Sequence, residues 1–435
     1  MKKTKNIFKK LMISCSIFVF IFLSIPTYTN AATAPPNLNS NGAVLLDATT
    51  GQVLYSKNAD QQFFPASTTK VLTALIVLEN SKLSDKVKIG HNPPGADGTS
   101  IGIREGEEYT IEELLYGLLM CSGNDAAEAL AEHISGSSDK FAELMNKKAK
   151  ELGATGSNFV NPSGLPNDQH VTTPTDLALI MKECIKNPDF VRITRTINYK
   201  LSPSNIDGNQ LALYNGNHIL DSGSSQYFYK YAVSSKKGYT TVAHFTNIAS
   251  AEKDGHPLIV ALLDGPGMNQ AYEDSKNLFE YGFNNYTLKK VVSEGDTIDS
   301  FELEDGTKLP LLASEDVYYC VDNSDKSTLK PDFKFEVPSK ITSKSSISRG
   351  ESITKCSVKI NNKDYTTIDL VSGINLNANK KSAASDIISD NKNEIVIIGS
   401  ILAVAFVLRL INVKRRKRKR LHKAKLNKII NKKRW

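Results

Sequence analysis

The apolar run Ile395–Val413, about 19 residues long and followed directly by the basic run Lys414–Arg420, constrains this chain more than any other feature. A run of that length crosses the hydrocarbon core of a bilayer as a helix, so whatever folds as a globular body must precede it. Lysines and arginines concentrate on the cytoplasmic side of a span. That bias assigns the tail 414–435 to the cytoplasm and everything before Ile395 to the outside, with Arg409 near the helix end free to snorkel to the interface. The other end of the chain agrees. Lys2, Lys3, Lys5, Lys9 and Lys10 precede an apolar stretch from Leu11 to Ile25, and Thr29 and Ala31 are small enough for a cleavage site. Residues 1–31 therefore read as a signal peptide, with an uncleaved anchor helix as the competing reading. Cys15 lies too early, and too poorly flanked, for a lipid-attachment site.

The formal charge of +8 comes from the ends. Residues 414–435 hold 13 Lys/Arg and residues 1–31 hold five, with no acid in either, leaving 36 basic against 46 acidic residues between them. The globular part is thus acidic, which argues against nucleic-acid binding. Of the five cysteines, Cys121, Cys184, Cys320 and Cys356 follow the signal peptide. None forms a CxxC or a Cys/His ligand spacing, so no metal site is expected. Cys320 and Cys356 fall in one late segment and could pair, or stay as buried thiols. No cofactor motif appears.

Between the ends the patterning changes once. Val44–Asp47 and Val53–Ser56, joined around Thr50-Gly51, predict a hairpin. A helical stretch follows from Lys70 to Leu78. Thr110 and Glu113 form a capping box ahead of Leu114, Leu115, Leu118 and Leu119. Further helices are predicted over Asp125–Ile134, Lys140–Leu152 and, with Pro at its first position, from Thr173-Pro174 onward. Tyr239–Asn247 and Leu258–Leu263 read as strands flanking the turn Asp254-Gly255, and a helix over Tyr272–Phe283 closes the unit. This order suits a mostly antiparallel sheet with helices packed on it, an α+β class. From Leu288 the chain turns to short β-like runs, with turns at Asp305-Gly306 and Asn361-Asn362. The expected organisation is a domain over 38–285, a small all-β domain over 288–376, a polar linker over 377–392, the transmembrane helix 395–413 and the basic tail 414–435.

Three short motifs carry chemistry. Ser67 and Lys70 sit three residues apart, one helical turn on the same face, so the Lys70 amine can reach the Ser67 hydroxyl. A serine becomes a nucleophile when a base takes its proton, and a lysine whose pKa is lowered by burial can be that base. Ser122-Gly123-Asn124 lies between two helical segments, and Lys236-Lys237-Gly238 opens the late strand. The order S-x-x-K, S-x-N, K-x-G resembles the penicillin-binding protein and serine β-lactamase superfamily. The flanks Phe64-Pro65-Ala66, Asp125-Ala126-Ala127, Phe159-Val160-Asn161-Pro162-Ser163-Gly164-Leu165 and Thr173 with Asp176-Leu177-Ala178 narrow the resemblance to the low-molecular-mass D-Ala-D-Ala carboxypeptidases. It covers residues 38–285 strongly and 288–376 more weakly.

The resemblance implies that Ser67 attacks the penultimate D-Ala of a peptidoglycan stem peptide and that Lys70 is its base. It further implies that Ser122 relays a proton to the leaving amine and Asn124 binds the substrate amide. Lys236 orients Ser122, Lys237 and Gly238 line the carboxylate site, and the amides of Ser67 and Tyr239 form the oxyanion hole. β-Lactam antibiotics are expected as covalent ligands. The third motif departs from K-T-G, because Lys237 replaces the threonine, and His244 stands where the family usually has glycine. A catalytically impaired, wall-binding membrane protein is therefore the second reading. A β-lactamase is a third, disfavoured because no E-x-x-L-N segment supplies its deacylating carboxylate. Gly98-Thr99-Ser100-Ile101-Gly102 matches the nucleophile-elbow pattern, but its flanks lack the strand and helix that an elbow needs. His133 and His170 read as packing or surface residues.

Overall fold

The computed structural model describes residues 34–223, 226–325 and 328–376. The expected signal peptide over 1–31, the expected linker over 377–392, the expected membrane helix over 395–413 and the tail 414–435 lie outside the described residues. Among the described residues no helix is long and apolar enough to cross a membrane. The chain divides into two compact units. Among the described residues, the first runs up to Val291 and takes back Val317–Leu329; the second comprises Val292–Asp316 and Lys330–Leu376.

The first unit begins with β1 (Gly42–Asp47) and β2 (Val53–Lys57), followed by helix α1 (Lys70–Asn80). A short pair, β3 (Lys86–Lys88) and β4 (Glu108–Thr110), leads into α2 (Ile111–Met120), α3 (Asn124–Ser135), α4 (Ser138–Glu151), α5 (Pro174–Cys184) and α6 (Pro188–Arg195). A second short pair, β5 (Asn198–Lys200) and β6 (Ala212–Tyr214), precedes the long strands β7 (Ala232–Thr240), β8 (His244–Lys253) and β9 (His256–Gly265), and α7 (Met268–Asn285) closes the series. The main sheet has the order β2-β1-β9-β8-β7, and every neighbouring pair is antiparallel.

This sheet is covered on both faces, which explains why β1 and β9 read as unbroken apolar runs rather than as alternating ones. Val44, Leu46, Ile259, Ala261 and Leu263 point into the helical block. Ala43, Leu45, Leu258, Val260 and Leu262 point to the other face, where Tyr272, Leu278 and Phe279 of α7 pack on them. Each fully buried Leu or Ile contributes roughly 1.5–3 kcal/mol. α1 runs through the helical block with Val71–Val77 buried throughout. α2 starts at the expected capping box, where Glu113 N donates to Thr110 Oγ1 at 3.2 Å and Thr110 N donates to Glu113 Oε2 at 2.8 Å. Thr173 caps α5 with Pro174 in its first turn.

One strand assignment needs correction. Tyr239–Asn247 is not a single strand, because β7 ends at Thr240 and β8 begins at His244. The connection contains neither Gly nor Pro, so its sequence reads as β-branched strand. It turns because Ala243 N donates to Thr240 Oγ1 at 3.0 Å and His244 takes a left-handed φ of 52°. The His244 ring is 2.6 Å from the Asp264 carboxylate, which holds that conformation. Lys236 accordingly lies mid-strand rather than at a strand opening, since β7 starts at Ala232. The Asp254-Gly255 turn is as expected, with φ of 53° and 76° at its two residues, the two positive values that a tight type I′ hairpin requires.

The rest of the chain adds β10 (Tyr286–Val292), β11 (Thr297–Glu302), β12 (Lys308–Ala313), β13 (Val317–Asp322), β14 (Pro331–Phe335), β15 (Ser352–Ile360) and β16 (Lys363–Ser372). The second unit is all-β, a sheet of order β11-β12-β16-β15-β14, with Asn361 and Asn362 both at positive φ in the turn between β15 and β16. β13 pairs with β10 instead, so Val317–Leu329 belongs with the first unit. Cys320 and Cys356 are free buried thiols, not a disulfide.

Candidate active site

Ser67 lies in a single 3-10 turn, Ala66–Thr69, that runs straight into α1 at Lys70. The turn is held from several sides. Thr68 Oγ1 donates to the Pro65 carbonyl at 2.6 Å, and Thr246 Oγ1 of β8 donates to the same oxygen at 2.9 Å. Ala66 takes a left-handed φ of 48°, and Gly164 beside it takes 86°. A Cβ on Gly164 would overlap the Ala66 carbonyl oxygen, so only glycine permits the loop 161–165 to lie against the serine's turn. Asn161 shapes that loop, its Oδ1 accepting from the backbone amides of Ser163, Gly164 and Leu165 at 3.2, 2.8 and 3.1 Å.

Beneath Ser67 the Lys70 side chain is fully buried. Its Nζ lies 3.0 Å from Ser67 Oγ, 2.6 Å from Asn124 Oδ1 and 2.6 Å from the Ser163 carbonyl. Burial, followed by the charge of Lys236, pushes the Lys70 amine well below the usual lysine range. A lysine that loses its proton so readily is a base within reach of the serine hydroxyl.

Ser122 sits in the link between α2 and α3 at a left-handed φ of 65°, a conformation that costs a non-glycine residue on the order of 1–3 kcal/mol. Its Oγ accepts from Lys236 Nζ at 3.0 Å, and the same ammonium donates to the Lys237 carbonyl at 2.8 Å. Asn217 joins this edge of the site together. Its Oδ1 accepts from Lys237 N at 3.0 Å while its Nδ2 donates to the Leu119 carbonyl at 3.2 Å. Gly238 brings β7 against the serine's turn, since a Cβ there would lie 2.7 Å from Ser67 N.

Lys236 is fully buried, and burial first and Lys237 second push its amine down to about 7. The linkage has a definite sign. Between about pH 7 and the ordinary lysine value the unfolded chain binds a proton that folded Lys236 does not, so this group's contribution to stability grows with rising pH and is lost as pH falls towards 7. The rise in urea midpoint between pH 7 and 10 should therefore be smaller in Lys236→Met than in the wild type. Equal rises would show that Lys236 keeps an ordinary pKa in the folded protein.

These groups open onto a cleft of about 470 Å³ lined by Ser67, Ser122, Lys236, Lys237, Gly238 and Tyr239, together with Tyr214, Asn217 and Phe245. Asn124 is buried instead, between Lys70 and the Asp97 carbonyl, to which its Nδ2 donates at 2.5 Å. It lines a second cavity of about 390 Å³ with His91, Glu128 and Ser163. Lys237 is half-buried, and its Nζ would lie 3.4 Å from a Cβ on Gly216. Among the described residues no carboxylate is within ion-pair distance of it.

His170 is buried and packs edge-on against Phe159. Its Nδ1 accepts from Val160 N at 3.1 Å, which leaves Nε2 to donate to Thr69 Oγ1 at 2.9 Å. Burial, then the charge of Lys70, pushes its pKa down to about 4, so the neutral ring steadies the turn after Ser67. His133 is exposed on α3. The G-x-S-x-G segment is not an elbow: Ser100 Oγ donates to Asp125 Oδ2 at 2.6 Å, and the amides of Ile101, Gly102 and Ile103 converge on that carboxylate. Asn161, Gly164 and Asn217 were the site residues without a role in the sequence reading. Asn161 and Gly164 lie within a quoted flank, and Asn217 follows the turn-forming pair Asn215-Gly216, but none of these signals points to the serine.

Residues 29–267 match the family model for D-alanyl-D-alanine carboxypeptidases, and residues 286–377 match that for the C-terminal domain of penicillin-binding protein 5. The chain is 30% identical to D-alanyl-D-alanine carboxypeptidase DacF of Bacillus subtilis, over 72% of this chain and 80% of that protein. It is 34% identical to DacB2 of Mycobacterium tuberculosis, over 55% and 81%. Among solved structures, penicillin-binding protein 5 of Haemophilus influenzae superposes with a TM-score of 0.65 at 24% identity, covering 79% of this chain and 99% of that one. A D-alanyl-D-alanine carboxypeptidase of Mycobacterium tuberculosis superposes with a TM-score of 0.54 at 31% identity, covering 58% and 94%.

Proposed function

The chain belongs to the D-alanyl-D-alanine carboxypeptidase family, and we propose that its reaction runs through an acyl-enzyme on Ser67. It is a hydrolase of the penicillin-binding class that removes the terminal D-Ala from peptidoglycan stem peptides. In the proposed sequence Ser67 Oγ attacks the carbonyl carbon of the penultimate D-Ala while the neutral Lys70 amine takes its proton. The oxyanion forms against the Ser67 and Tyr239 amides. Ser122, held by Lys236, passes its proton to the departing D-Ala nitrogen and takes up the one held by Lys70, so that the C–N bond breaks, an ester is left on Ser67 and Lys70 is neutral again. Water then attacks the ester, gives up a proton to the same base, and frees the shortened peptide and the serine. The observation that carries this reading is the buried Lys70 amine 3.0 Å from Ser67 Oγ. The test is release of free D-Ala from an N-acylated peptide ending in D-Ala-D-Ala by the purified full chain. No release at high enzyme concentration would leave only the wall-binding reading.

Lys237 is the feature that most favours that second reading. A threonine hydroxyl donating to a charged carboxylate is worth about 1.5–3 kcal/mol, so its loss alone costs on the order of 10- to 100-fold in kcat/KM. The Lys237 ammonium has no carboxylate partner among the described residues and lines the cleft. We therefore assign it to the substrate's terminal carboxylate, recovering part of that loss. Lys237→Thr decides between the two roles. A mutant several-fold slower in D-Ala release fits the carboxylate ligand, whereas a faster one would mean that Lys237 obstructs the site.

We further propose that the enzyme works outside the cell, tethered by a C-terminal helix over 395–413, with 32–393 external and 414–435 internal. The support is the apolar run abutting the basic run Lys414–Arg420. Protease added to intact protoplasts should digest the catalytic unit and spare a tag placed after Trp435. Loss of the tag would reverse the topology.

A further inference from the structure

Away from the cleft, three side chains that the proposed reaction does not use meet inside the first unit. Asp47 ends β1, His256 opens β9 and Cys320 lies on β13. All three are buried, and their ligand-type atoms lie within 4.8 Å of one another. His256 Nε2 is 2.7 Å from Asp47 Oδ2 and 3.7 Å from Cys320 Sγ. We propose that this cluster is a zinc site, with Asp47 Oδ2, His256 Nε2 and Cys320 Sγ as its protein ligands.

The arrangement is wrong for the obvious alternative. A thiol–imidazole–carboxylate relay needs the thiol and the acid on opposite ring nitrogens, so that the acid holds one while the other takes the proton. Here both converge on Nε2, the geometry of donors around a shared centre. One thiol, one imidazole and one carboxylate form a borderline-soft set that suits Zn²⁺. Tetrahedral zinc with bonds of about 2.0–2.3 Å spaces its ligands roughly 3.4–3.6 Å apart. The Sγ–Nε2 separation of 3.7 Å is within about 0.1 Å of that spacing, and Asp47 Oδ2, at 2.7 Å from Nε2, must draw back by about 0.7 Å to reach it.

The surroundings hold the donors in place, as outer partners of metal ligands do. Thr50 donates to Asp47 Oδ1 through its amide at 2.6 Å and its hydroxyl at 2.7 Å, which leaves Oδ2 for the metal. The Gln52 carboxamide clamps the backbone of Cys320 from both sides, accepting from its N–H at 2.6 Å and donating to its carbonyl at 3.2 Å. The His256 ring stands edge-on to Phe283 at 5.9 Å. On binding, the Cys320 thiol proton passes to solvent, and the Nε2 proton of His256 leaves or moves to Nδ1. Three protein ligands leave the fourth position to water. The metal would tie β13, which returns to the first unit after the chain has built Val292–Asp316, to the ends of β1 and β9.

The test uses the full chain, stripped with a chelator and titrated with Co²⁺ as a spectroscopic stand-in for zinc. One equivalent should bind with a thiolate-to-cobalt charge-transfer band and the visible bands of tetrahedral cobalt. Zn²⁺ should displace it and raise the thermal midpoint. Cys320→Ser should lose the charge-transfer band and the zinc-dependent shift, Cys356→Ser should keep both, and His256→Gln should weaken binding at least ten-fold. Penicillin labelling of Ser67 checks that each variant is folded. Should Cys320→Ser not fold, the wild-type spectrum and His256→Gln still decide. The proposal is overturned by a wild-type protein with no thiolate band at stoichiometric Co²⁺ and no response to Zn²⁺. A band that survives Cys320→Ser would overturn it equally.

Discussion

Ser67→Ala is expected to abolish covalent labelling by a penicillin and to lower D-Ala release by on the order of 10³-fold or more. The hydroxyl oxygen is the atom that becomes the ester oxygen, and among the described residues no other hydroxyl shares its contact with the Lys70 amine, 3.0 Å away. Lys70→Arg should fail almost as badly, although it keeps the positive charge. A guanidinium stays protonated throughout the working pH range and cannot take the serine proton. The two side chains act as one unit, so the double variant should be no slower than the worse single one. Intact-protein mass spectrometry after exposure to a β-lactam reads the result. The wild type should gain one drug mass and both variants none. An adduct of full yield on Ser67→Ala would move the nucleophile elsewhere, with Ser122 the next candidate in the cleft.

Gly164→Ala should slow acylation by at least about ten-fold, although Gly164 has no reactive atom. Two costs add. The position holds φ of 86°, which alone costs an alanine about 1–2 kcal/mol. The new methyl would also overlap the Ala66 carbonyl. Because that obstacle is backbone, relief requires moving the turn that carries Ser67 or the loop whose Ser163 carbonyl receives Lys70. Together these should cost roughly 3 kcal/mol or more in stability and at least about ten-fold in acylation rate, because misplacing a nucleophile by a fraction of an ångström is expensive. Gly136→Ala is the control. Gly136 has φ of 82° at the end of α3 with open space around it, so only the conformational cost applies. If urea denaturation gave both variants the same loss and Gly164→Ala acylated normally, the packing of the 161–165 loop on the serine's turn would be wrong.

The sequence by itself determined those features whose signals are local. The capping box at Thr110 and Glu113, the start of α5 at Thr173-Pro174 and the turn at Asp254-Gly255 each follow from a few adjacent residues with definite backbone or hydrogen-bond requirements. Ser67 and Lys70 were legible as a pair because one helical turn separates them, and Ser122, Asn124 and Lys236 because their motifs stand in a recognisable order. The Thr240–His244 turn was not legible, because a side-chain cap and a hydrogen bond between His244 and Asp264 make it rather than glycine or proline. Tertiary structure alone decided what lies between distant residues. It set Lys236 against Ser122 across 114 residues, seated Gly164 on Ala66 and strung Asn217 between α2 and β7. It also returned β13 to the first unit, bringing Cys320 to a histidine 64 residues earlier and that histidine to Asp47, 209 residues before it. The physical reason is that side-chain periodicities of 3.6 and 2 report which face of an element is buried. They carry nothing about which remote element covers that face, and the lowering of the Lys70 and Lys236 amines depends on that covering.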